Sequence, residues 1–442
     1  MLSNISFTEP KKKISKVAIQ TLGCKLNFSE SSYIVKSLRE NNYKIVDFKD
    51  FADIYIINTC SVTDNADKKF KFFVKEAQKI NPEAFIAAIG CYAQLKPKEL
   101  LSVDGVDLVL GALDKFNLVD YLKNIDDDFS KNIHSCNIND VTQFKESYSV
   151  NQRTRAFLKV QDGCDYRCSF CTIPLARGKS RSNSIPNVIN NIKDIASNNI
   201  KEIVLTGINL GDFGKIDGKE NETSFYQLIR EIDKLKIDVR FRISSIEPNL
   251  LSDKIIKFIS ESKRFVNHFH IPLQSGSDSI LKLMRRRYDT KLYRSRINKI
   301  KELMPDACIG ADVIVGFPGE DDKLFLESMN FLTSLNISYL HVFKYSERDN
   351  TYAISLPNII NSTIRSKRSR LLRLLSSKKK NEFYTQNIGT SQNVLFESDN
   401  KNGFIEGFSP NYIRFRRPWD PSLVGSIVES NFSNIDSDGY AI

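Results

Sequence analysis

The chain lacks any long apolar run. In 442 residues no stretch approaches the ~20 consecutive apolar residues that a membrane-spanning helix needs. Its opening, MLSNISFTEPKKKISK, has no apolar segment of the kind a secretory signal requires. The expected location is therefore the cytoplasm, with no membrane contact. Histidine is scarce: His134, His268, His270 and His341 are the only four, and their spacing is not that of metal ligands. An acidic excess is also missing. Lys and Arg number 64 against 53 Asp and Glu, a net charge of +11. That balance fits a polyanionic partner such as RNA, and fits equally a solvated lysine-rich surface. Apolar content of 41% is ordinary for globular proteins, so disorder is not the default. At roughly 150 residues per domain the length allows about two to four domains.

Cysteine is what the sequence does have: Cys24, Cys60, Cys91, Cys136, Cys164, Cys168, Cys171 and Cys308. A reducing cytosol does not favour disulfides. Three of them crowd into QDGCDYRCSFC (161–171). Closed zinc sites and four-iron clusters want four protein ligands, and this spacing supplies three. The nearest further cysteine in sequence is Cys136. One coordination position is thus left open, as a catalytic centre requires. A zinc knuckle is the competing reading of the spacing alone. Cys136, in the polar HSCNIND, and Cys308, in CIGADVIVGF, read as passive residues.

The first segment alternates strand-like runs (16–23, 52–59, 85–90, 106–111) with helical patterns (29–41, 66–81), which predicts a parallel α/β domain. The 29–41 helix is expected to start near Ser29 or Ser31. Cys24, Cys60 and Cys91 each follow a predicted strand, the edge where open α/β sheets gather ligands. Residues 123–152 are polar and aperiodic and read as a linker. From about 153 to 385 six strand-like runs alternate with helices: AFLKVQDG, EIVLTGINLG, VRFRISSIEP, NHFHIPLQSG, CIGADVIVGFPGE and YLHVFKYSERD. This predicts a partial barrel of parallel strands with its functional loops at their carboxyl ends. A basic stretch, 361–387, carries Arg365, Lys367, Arg368, Arg370, Arg373, Lys378, Lys379 and Lys380, with Leu371, Leu372, Leu374 and Leu375 as an apolar face. It reads either as an RNA-touching helix or as a solvated one. Residues 388–442 predict a small antiparallel barrel, in which Arg414, Arg416 and Arg417 beside Tyr412 and Phe415 suit phosphates and base stacking.

CDYRCSFC at the first strand of a six-fold βα pattern resembles the signature of radical S-adenosylmethionine enzymes. With LGCKLN (22–27), NTCSVT (58–63), GCYAQ (90–94) and IPLARGKSRS (173–182), the resemblance narrows to the radical SAM methylthiotransferase family and spans almost the whole chain. GCKLN and SSIEP (244–248) look most like the tRNA N6-threonylcarbamoyladenosine (t6A37) branch. The alternatives are the branches acting on isopentenyladenosine 37 of tRNA or on a ribosomal-protein aspartate.

The resemblance implies three domains: a Rossmann-like N-terminal methylthiotransferase α/β domain (1–135), a radical SAM core built as a partial (β/α)6 TIM-like barrel (150–387), and a TRAM-like RNA-binding β-barrel (388–442), whose best-matching piece is NYIRF. It implies two 4Fe-4S clusters, one on Cys164, Cys168 and Cys171, the other on Cys24, Cys60 and Cys91. By this resemblance one S-adenosylmethionine would give its methyl to sulfur at the second cluster, and another would be cleaved at the first. The resulting 5′-deoxyadenosyl radical takes hydrogen from C2 of the adenine, which offers no acidic proton for a general base. By the same resemblance Gly207 would lie near the methionine amino group of the cofactor, though an ordinary βα turn explains it equally. Ser245 and Glu247 end the third strand and Gln274 the fourth, at the expected cofactor edge, and Phe170 would shield the cluster or contact adenine. Arg177, Lys179 and Arg181 read either as contacts to substrate phosphates or the threonylcarbamoyl carboxylate, or as a solvated basic loop. The expected partners are the tRNA anticodon stem-loop and an electron donor such as flavodoxin or ferredoxin, with the enzyme a monomer.

Overall fold

The computed structural model describes residues 15–61, 64–123, 132–149, 154–216, 219–220 and 223–442. Most of the opening stretch read above, and residues 124–131 and 150–152 of the polar linker, lie outside the described residues. The chain forms two compact units, 1–23 with 33–136, and 24–32 with 137–442. Among the described residues no helix is long and apolar enough to cross a membrane.

In the first unit β1 (Lys16–Thr21), β2 (Lys44–Val46), β3 (Ile54–Thr59), β4 (Phe85–Gly90), β5 (Leu108–Leu110) and β6 (Asn132–His134) form one sheet in the order β2-β1-β3-β4-β5-β6. Every pairing is parallel. All of β3 is buried, because helices cover both faces of the sheet. Successive side chains point to opposite faces. Ile54 and Ile56 therefore pack with Ile34 and Leu38 of α1 (Lys25–Glu40). Tyr55 and Ile57 pack with Phe70, Val74 and Ala77 of α2 (Asp64–Ile80) on the other side. The strand order reverses between β1 and β3, and ligands of open parallel sheets sit at the carboxyl ends beside such a reversal.

Two details differ from the sequence reading. β2 and β6 are three residues each, too short to leave a periodic signal, and β6 falls in the stretch read as linker. α1 starts at Lys25 rather than near Ser29 or Ser31: the Cys24 carbonyl accepts from the Phe28 N–H at 3.2 Å. Ser29 is buried in the helix and donates to the Leu26 carbonyl at 2.8 Å instead of capping.

In the second unit β7 (Arg155–Lys159), β8 (Glu202–Thr206), β9 (Arg240–Ile243), β10 (His268–His270), β11 (Cys308–Val315) and β12 (Tyr339–Lys344) run parallel in chain order. Bridges from Phe241 to Phe265 and from Ser245 to His270 join the two three-stranded halves. This is the expected partial (β/α)6 barrel. Helices α3 (Ile185–Ser197), α4 (Phe225–Asp233), α5 (Asp253–Glu261), α6 (Thr290–Leu303) and α7 (Asp322–Ser334) back it. Each is capped by Ser184, Ser224, Ser252, Asp289 or Asp321, whose side chain accepts an N–H of the first turn. One continuous core, including Leu158, Leu205, Ile243, Phe269 and Ile309, joins strands to helices.

The inward residues carry charge. Glu202 is fully buried and accepts from Arg240 Nε at 2.7 Å and from Arg242 Nε and Nη2 at 2.8 and 3.0 Å. Arg155 lies 3.8 Å away. Burial pushes the Glu202 carboxyl up, but Arg242, Arg240 and Arg155 outweigh it and hold the group well below the usual carboxylate range. A depressed folded pKa means that this stability is present above the unfolded value of about 4.3 and is lost as pH falls. Glu202→Gln is therefore expected to cost about 3–5 kcal/mol at neutral pH by leaving arginines buried and unpaired. The gap to the wild type should narrow on acidification, as read by urea unfolding at stepped pH.

The C-terminal strands β13 (Ser391–Lys401), β14 (Phe404–Phe408), β15 (Arg414–Pro418) and β16 (Ile427–Asn431) form an antiparallel sheet in the order β15-β14-β13-β16. It curls over Val394, Phe396, Ile405, Ile413, Phe415 and Phe432 as half of a barrel. Its loops meet the amino end of the large barrel, where the carbonyls of Asn393, Phe408, Ser409 and Pro410 accept from Arg240 and Arg242. Several residues of the expected stacking surface are engaged within the protein, and Arg417 lies over the Phe396 ring. Tyr412 stacks on His268 with centroids 4.4 Å apart, and Phe415 is in the core. Arg414 pairs with Glu406, and Arg416 with Asp436 and Asp438.

The basic stretch is one helix, α8 (Ser362–Gln386). Three of its eight cations turn inward. Arg365 pairs with Glu347, Arg368 with Glu320 and Asp322, and Lys379 donates to the carbonyls of Thr333 and Leu335. Of the leucines only Leu372 is fully buried; Leu371 and Leu374 are exposed. The exposed cations are Lys367, Arg370, Arg373, Lys378 and Lys380.

Candidate functional site

Cys164, Cys168 and Cys171 lie in the loop that leaves β7 at the carboxyl edge of the barrel. The loop is pinned along its length. The Cys164 N–H donates to the Gly178 carbonyl at 3.0 Å, and the Ser169 N–H and hydroxyl donate to the carbonyls of Met284 and Leu283. The Ala353 N–H donates to the Ser169 carbonyl at 2.7 Å. Gly163 sits at φ 68°, where a Cβ would come within 2.0 Å of the Lys179 carbonyl oxygen, so only glycine fits. Phe170 packs against a cluster containing Ile280, Met284, Phe317 and Tyr345, which makes it an anchor of the loop.

The three thiols are half-buried and free. Burial, followed by their mutual repulsion, pushes Cys164 up to about 12 and does the same to Cys171; Cys168 is also raised, with Arg286 opposing. Three such thiols in one loop persist as thiolates only where a cationic centre takes up their charge. The donor set fits an iron–sulfur cluster with one open iron.

Arg286 is a residue the sequence reading missed. Its side chain is 4% exposed. Nη1 donates to Cys168 Sγ at 2.9 Å, Nη2 pairs with Glu247, and Nε donates to the Tyr288 hydroxyl at 3.1 Å. Nothing in the run Arg285–Arg286–Arg287 singles it out; its neighbours lie over the rings of Tyr352 and Tyr166. Glu247, expected at the cofactor, is thereby held one residue away from a cluster ligand.

The other expected cofactor residues lie along the same edge. Ser245 bridges to His270, and Gln274, at φ 69°, bridges to Val313. At Gly207 a Cβ would lie 2.9 Å from Gln161 Oε1. That oxygen accepts the N–H groups of Ile208 and Asn209, while Gln161 Nε2 donates to the carbonyls of Asp162 and Gly163 and to Ser180. The loop after β8 is thus stapled to the cysteine loop by a glutamine that the sequence did not single out.

Two of the three basic residues that follow the cysteines are engaged within the protein. Arg177 donates to Glu30, Asp162 and Asn27 at 2.7–3.1 Å. Arg181 donates to Asp162 at 3.0 Å, and Lys159 to Glu30 at 3.1 Å. All five charged groups are nearly or fully buried. The expectation that Arg177 and Arg181 meet substrate is therefore corrected; Lys179 alone of the three is exposed. The network fixes the first turn of α1, with Cys24 at its head, to the cysteine loop.

Cys60 and Cys91 directly follow β3 and β4, whose last residues Thr59 and Gly90 are paired. Both are buried. Gly90, at φ 102°, lets the chain turn where a Cβ would meet Asn58 Oδ1 at 2.5 Å. Cys24, exposed, follows β1 by three residues. Cys308 is fully buried beside Phe383 and Tyr384, and burial pushes it to about 12.

Within the barrel a further cluster appears that the histidine spacing hid. His270, Asp312 and His341 lie on neighbouring strands with ligand atoms within 4.8 Å of one another. His270 Nε2 and Asp312 Oδ1 are 2.9 Å apart, and the two imidazoles stack at 5.3 Å. Lys25, in the first turn of α1, is half-buried. Burial, then Arg155 and Arg242, lower its pKa to about 8, with Asp312 opposing.

Residues 16–111 match the family described as Uncharacterized protein family UPF0004, and residues 158–332 match the Radical SAM superfamily. The chain is 36% identical to the threonylcarbamoyladenosine tRNA methylthiotransferase MtaB of Bacillus subtilis, over 94% of this chain and 93% of that one. It is 36% identical to its Aquifex aeolicus counterpart over 91% and 96%. The tRNA-2-methylthio-N(6)-dimethylallyladenosine synthase of Syntrophus aciditrophicus is 31% identical over 87% and 84%. Among solved structures the radical S-adenosylmethionine methyltransferase TsrM of Kitasatospora setae, with cobalamin and a 4Fe-4S cluster bound, shares the fold at TM-score 0.55, 12% identity and 77% of each chain. Two cysteine trios at the carboxyl edges of two parallel sheets and these likenesses over nearly the whole length lead to one conclusion: the chain belongs to the radical SAM methylthiotransferase family.

Proposed function

We propose that this protein converts N6-threonylcarbamoyladenosine at position 37 of tRNA to its 2-methylthio derivative. The observation that carries the reading is the pinned loop of Cys164, Cys168 and Cys171, together with cysteines after β1, β3 and β4. The threonylcarbamoyl substrate is supported by the relatives named for it, at 34–36% identity against 31–32% for those named for dimethylallyladenosine.

When bound, two 4Fe-4S clusters and S-adenosylmethionine supply the reductive cleavage and the methylthio group. The chain's own residues bind and orient them. Cys164, Cys168 and Cys171 hold one cluster, and Cys24, Cys60 and Cys91 the other. Glu247, Ser245, Gln274 and the backbone at Gly207 line the place of S-adenosylmethionine, and Phe170 keeps the loop in place. Arg286 places a positive charge on Cys168 and fixes the Glu247 carboxylate. The anticodon stem-loop is the expected RNA element, a flavodoxin or ferredoxin the electron donor, the monomer the working form and the cytoplasm its place.

The exposed face of α8 serves the RNA backbone. Lys344, Arg370 and Arg373 share a groove with the hydroxyls of Ser366 and Ser377. Neutralising Lys367, Arg370 and Arg373 together is expected to weaken tRNA binding and to lower the slope of log affinity against log salt by roughly 0.7–0.9 per lost phosphate contact. Filter binding at stepped salt reads this. The activity itself is tested by nucleoside mass analysis of tRNA from a deletion strain with and without the gene restored. Loss and recovery of the 2-methylthio derivative of t6A is the expected result. Loss of the dimethylallyl derivative, or of a methylthio group on a ribosomal protein, would assign the protein to another branch.

A further inference from the structure

The last strand of the barrel turns an imidazole and an aromatic ring into the lumen. On β12, Leu340 and Val342 belong to the core shared with the helices. Alternation therefore points Tyr339, His341 and Phe343 inward. The contacts agree: the Tyr339 hydroxyl lies 3.0 Å from His268 Nε2, and the rings of His341 and His270 stack. His341 and Phe343 are both exposed, Phe343 by 41%. The expected cofactor residues Gly207, Ser245, Glu247 and Gln274 follow β8, β9 and β10. The lumen faces of β11 and β12 are thus left to another ligand.

Cross-strand register builds those faces in two tiers. Asp312 pairs with His341, and Ile314 pairs with Phe343 two residues nearer the carboxyl edge. The deeper tier is polar. Asp312 Oδ1 is 2.9 Å from His270 Nε2; among the described residues its side chain makes no other hydrogen bond, and that of His341 makes none. Ligand atoms of the three residues still lie within 4.8 Å of one another. One hydroxyl, about 2.8 Å from each neighbour, spans a gap of that width between a nitrogen and a carboxylate oxygen. The upper tier is apolar. Phe343 offers a flat face, and Ile314 packs with Phe170, the anchor of the cysteine loop. Lys344, the next residue, lines the outer groove with Arg370 and Arg373. Consecutive Cα atoms are about 3.8 Å apart, so an RNA backbone seated in that groove stands one residue from the lumen mouth.

Taken with the proposed substrate, on which this inference rests, the two tiers match the two parts of the nucleoside. Bases of single-stranded loops are held by stacking on aromatic side chains, and enzymes that act on a base draw it into a pocket. A threonylcarbamoyl group on N6 carries a hydroxyl; a dimethylallyl group ends in methyls. We propose that β12 reads the substrate base: Phe343 stacks on the adenine, and His341 is the specificity-determining residue, donating to the threonyl hydroxyl while Asp312 accepts from it. A dimethylallyl group in this place leaves His341 and Asp312 without that partner, which penalises that substrate.

The test uses reconstituted full-length enzyme and two anticodon-arm RNAs. One carries t6A; the other carries its valyl analogue, in which a methyl replaces only the hydroxyl. Wild type is expected to prefer t6A by roughly 10- to 100-fold in kcat/KM, the range of a hydrogen bond to a charged group. His341→Leu should bring that ratio close to one with iron content unchanged, and His341→Asn, which keeps a donor, should restore part of it. Phe343→Ala should raise KM for both arms by roughly 5- to 150-fold, the range of one lost base stack, and leave the ratio as in wild type; Phe343→Tyr should recover the affinity. If His341→Leu loads less iron, the ratio in equilibrium binding decides, since a ratio does not depend on the active fraction. A His341→Leu enzyme with the wild-type preference, a wild type without one, or a Phe343→Ala enzyme with unchanged KM overturns the proposal. So does a preference that EDTA removes and Mn²⁺ restores, which would assign His270, Asp312 and His341 to a metal. A wild type that methylthiolates neither arm overturns the proposed substrate instead.

Discussion

Cys24→Ala is expected to abolish methylthio insertion while 5′-deoxyadenosine still forms under reduction; Cys168→Ala is expected to abolish both. The difference follows from where the two thiols sit. Cys168 lies in the loop that binds S-adenosylmethionine in this family's fold, in contact with Arg286, which also holds Glu247. Its loss removes a ligand and leaves Arg286 with one acceptor fewer. Cys24 heads α1, and that turn is held by Asn27, Ser29 and Glu30 rather than by the thiol. Alanine there keeps the helix start and removes only a ligand. Wild type should bind about eight irons and each variant about four. Equal loss of cofactor cleavage in both variants would mean that the two trios do not divide the work.

Glu30→Gln should produce a large stability loss, of the same order as Glu202→Gln. Glu30 is completely buried and receives Lys159 and both Nη atoms of Arg177. Neighbouring Asp162 is held well below the usual carboxylate range: burial raises it, but Arg181, Arg177 and Lys159 prevail. Three cations share two carboxylates, so an amide at position 30 leaves three facing one. Breaking such a buried network by removing one partner costs about 3–5 kcal/mol, to be read by urea unfolding. Function should fall as well, because the network fixes the turn bearing Cys24 to the loop bearing the other trio. A displacement of about 1 Å can cost ~100-fold in rate. The expected signature is fewer methylthio groups per 5′-deoxyadenosine formed. Arg177→Lys, which keeps the charge but not the fork, should lie between. A Glu30→Gln protein with wild-type stability and coupling would show that the network does neither job.

Much of this was legible in the linear chain. The six barrel strands, four strands of the first unit and four of the C-terminal sheet stood out because buried strands are long apolar or alternating runs. The barrel helices showed as periodic patterns between those strands, and the structure adds their Ser and Asp caps. What failed was of two kinds. Three-residue strands such as β2 and β6 are shorter than any period that could reveal them. Charged residues were misassigned: Arg177, Arg181, Arg365, Arg368 and Lys379 read as surface cations but are buried partners, since sequence shows a charge and not the carboxylate that meets it. Tyr412 read as a base-stacking ring and instead faces His268.

By itself the sequence determined the chemistry. CxxxCxxC with no nearby fourth ligand dictates a centre with an open position, and cysteines after β1, β3 and β4 mark a second set, because ligand type and spacing are local properties. Only the tertiary structure decided which cations are free. Arg286 at Cys168, Gln161 between two loops, Glu30 beneath Arg177, and the cluster of His270, Asp312 and His341 are meetings of residues far apart in the chain. Their energetics depend on burial and distance, and neither exists until the strands have closed around them.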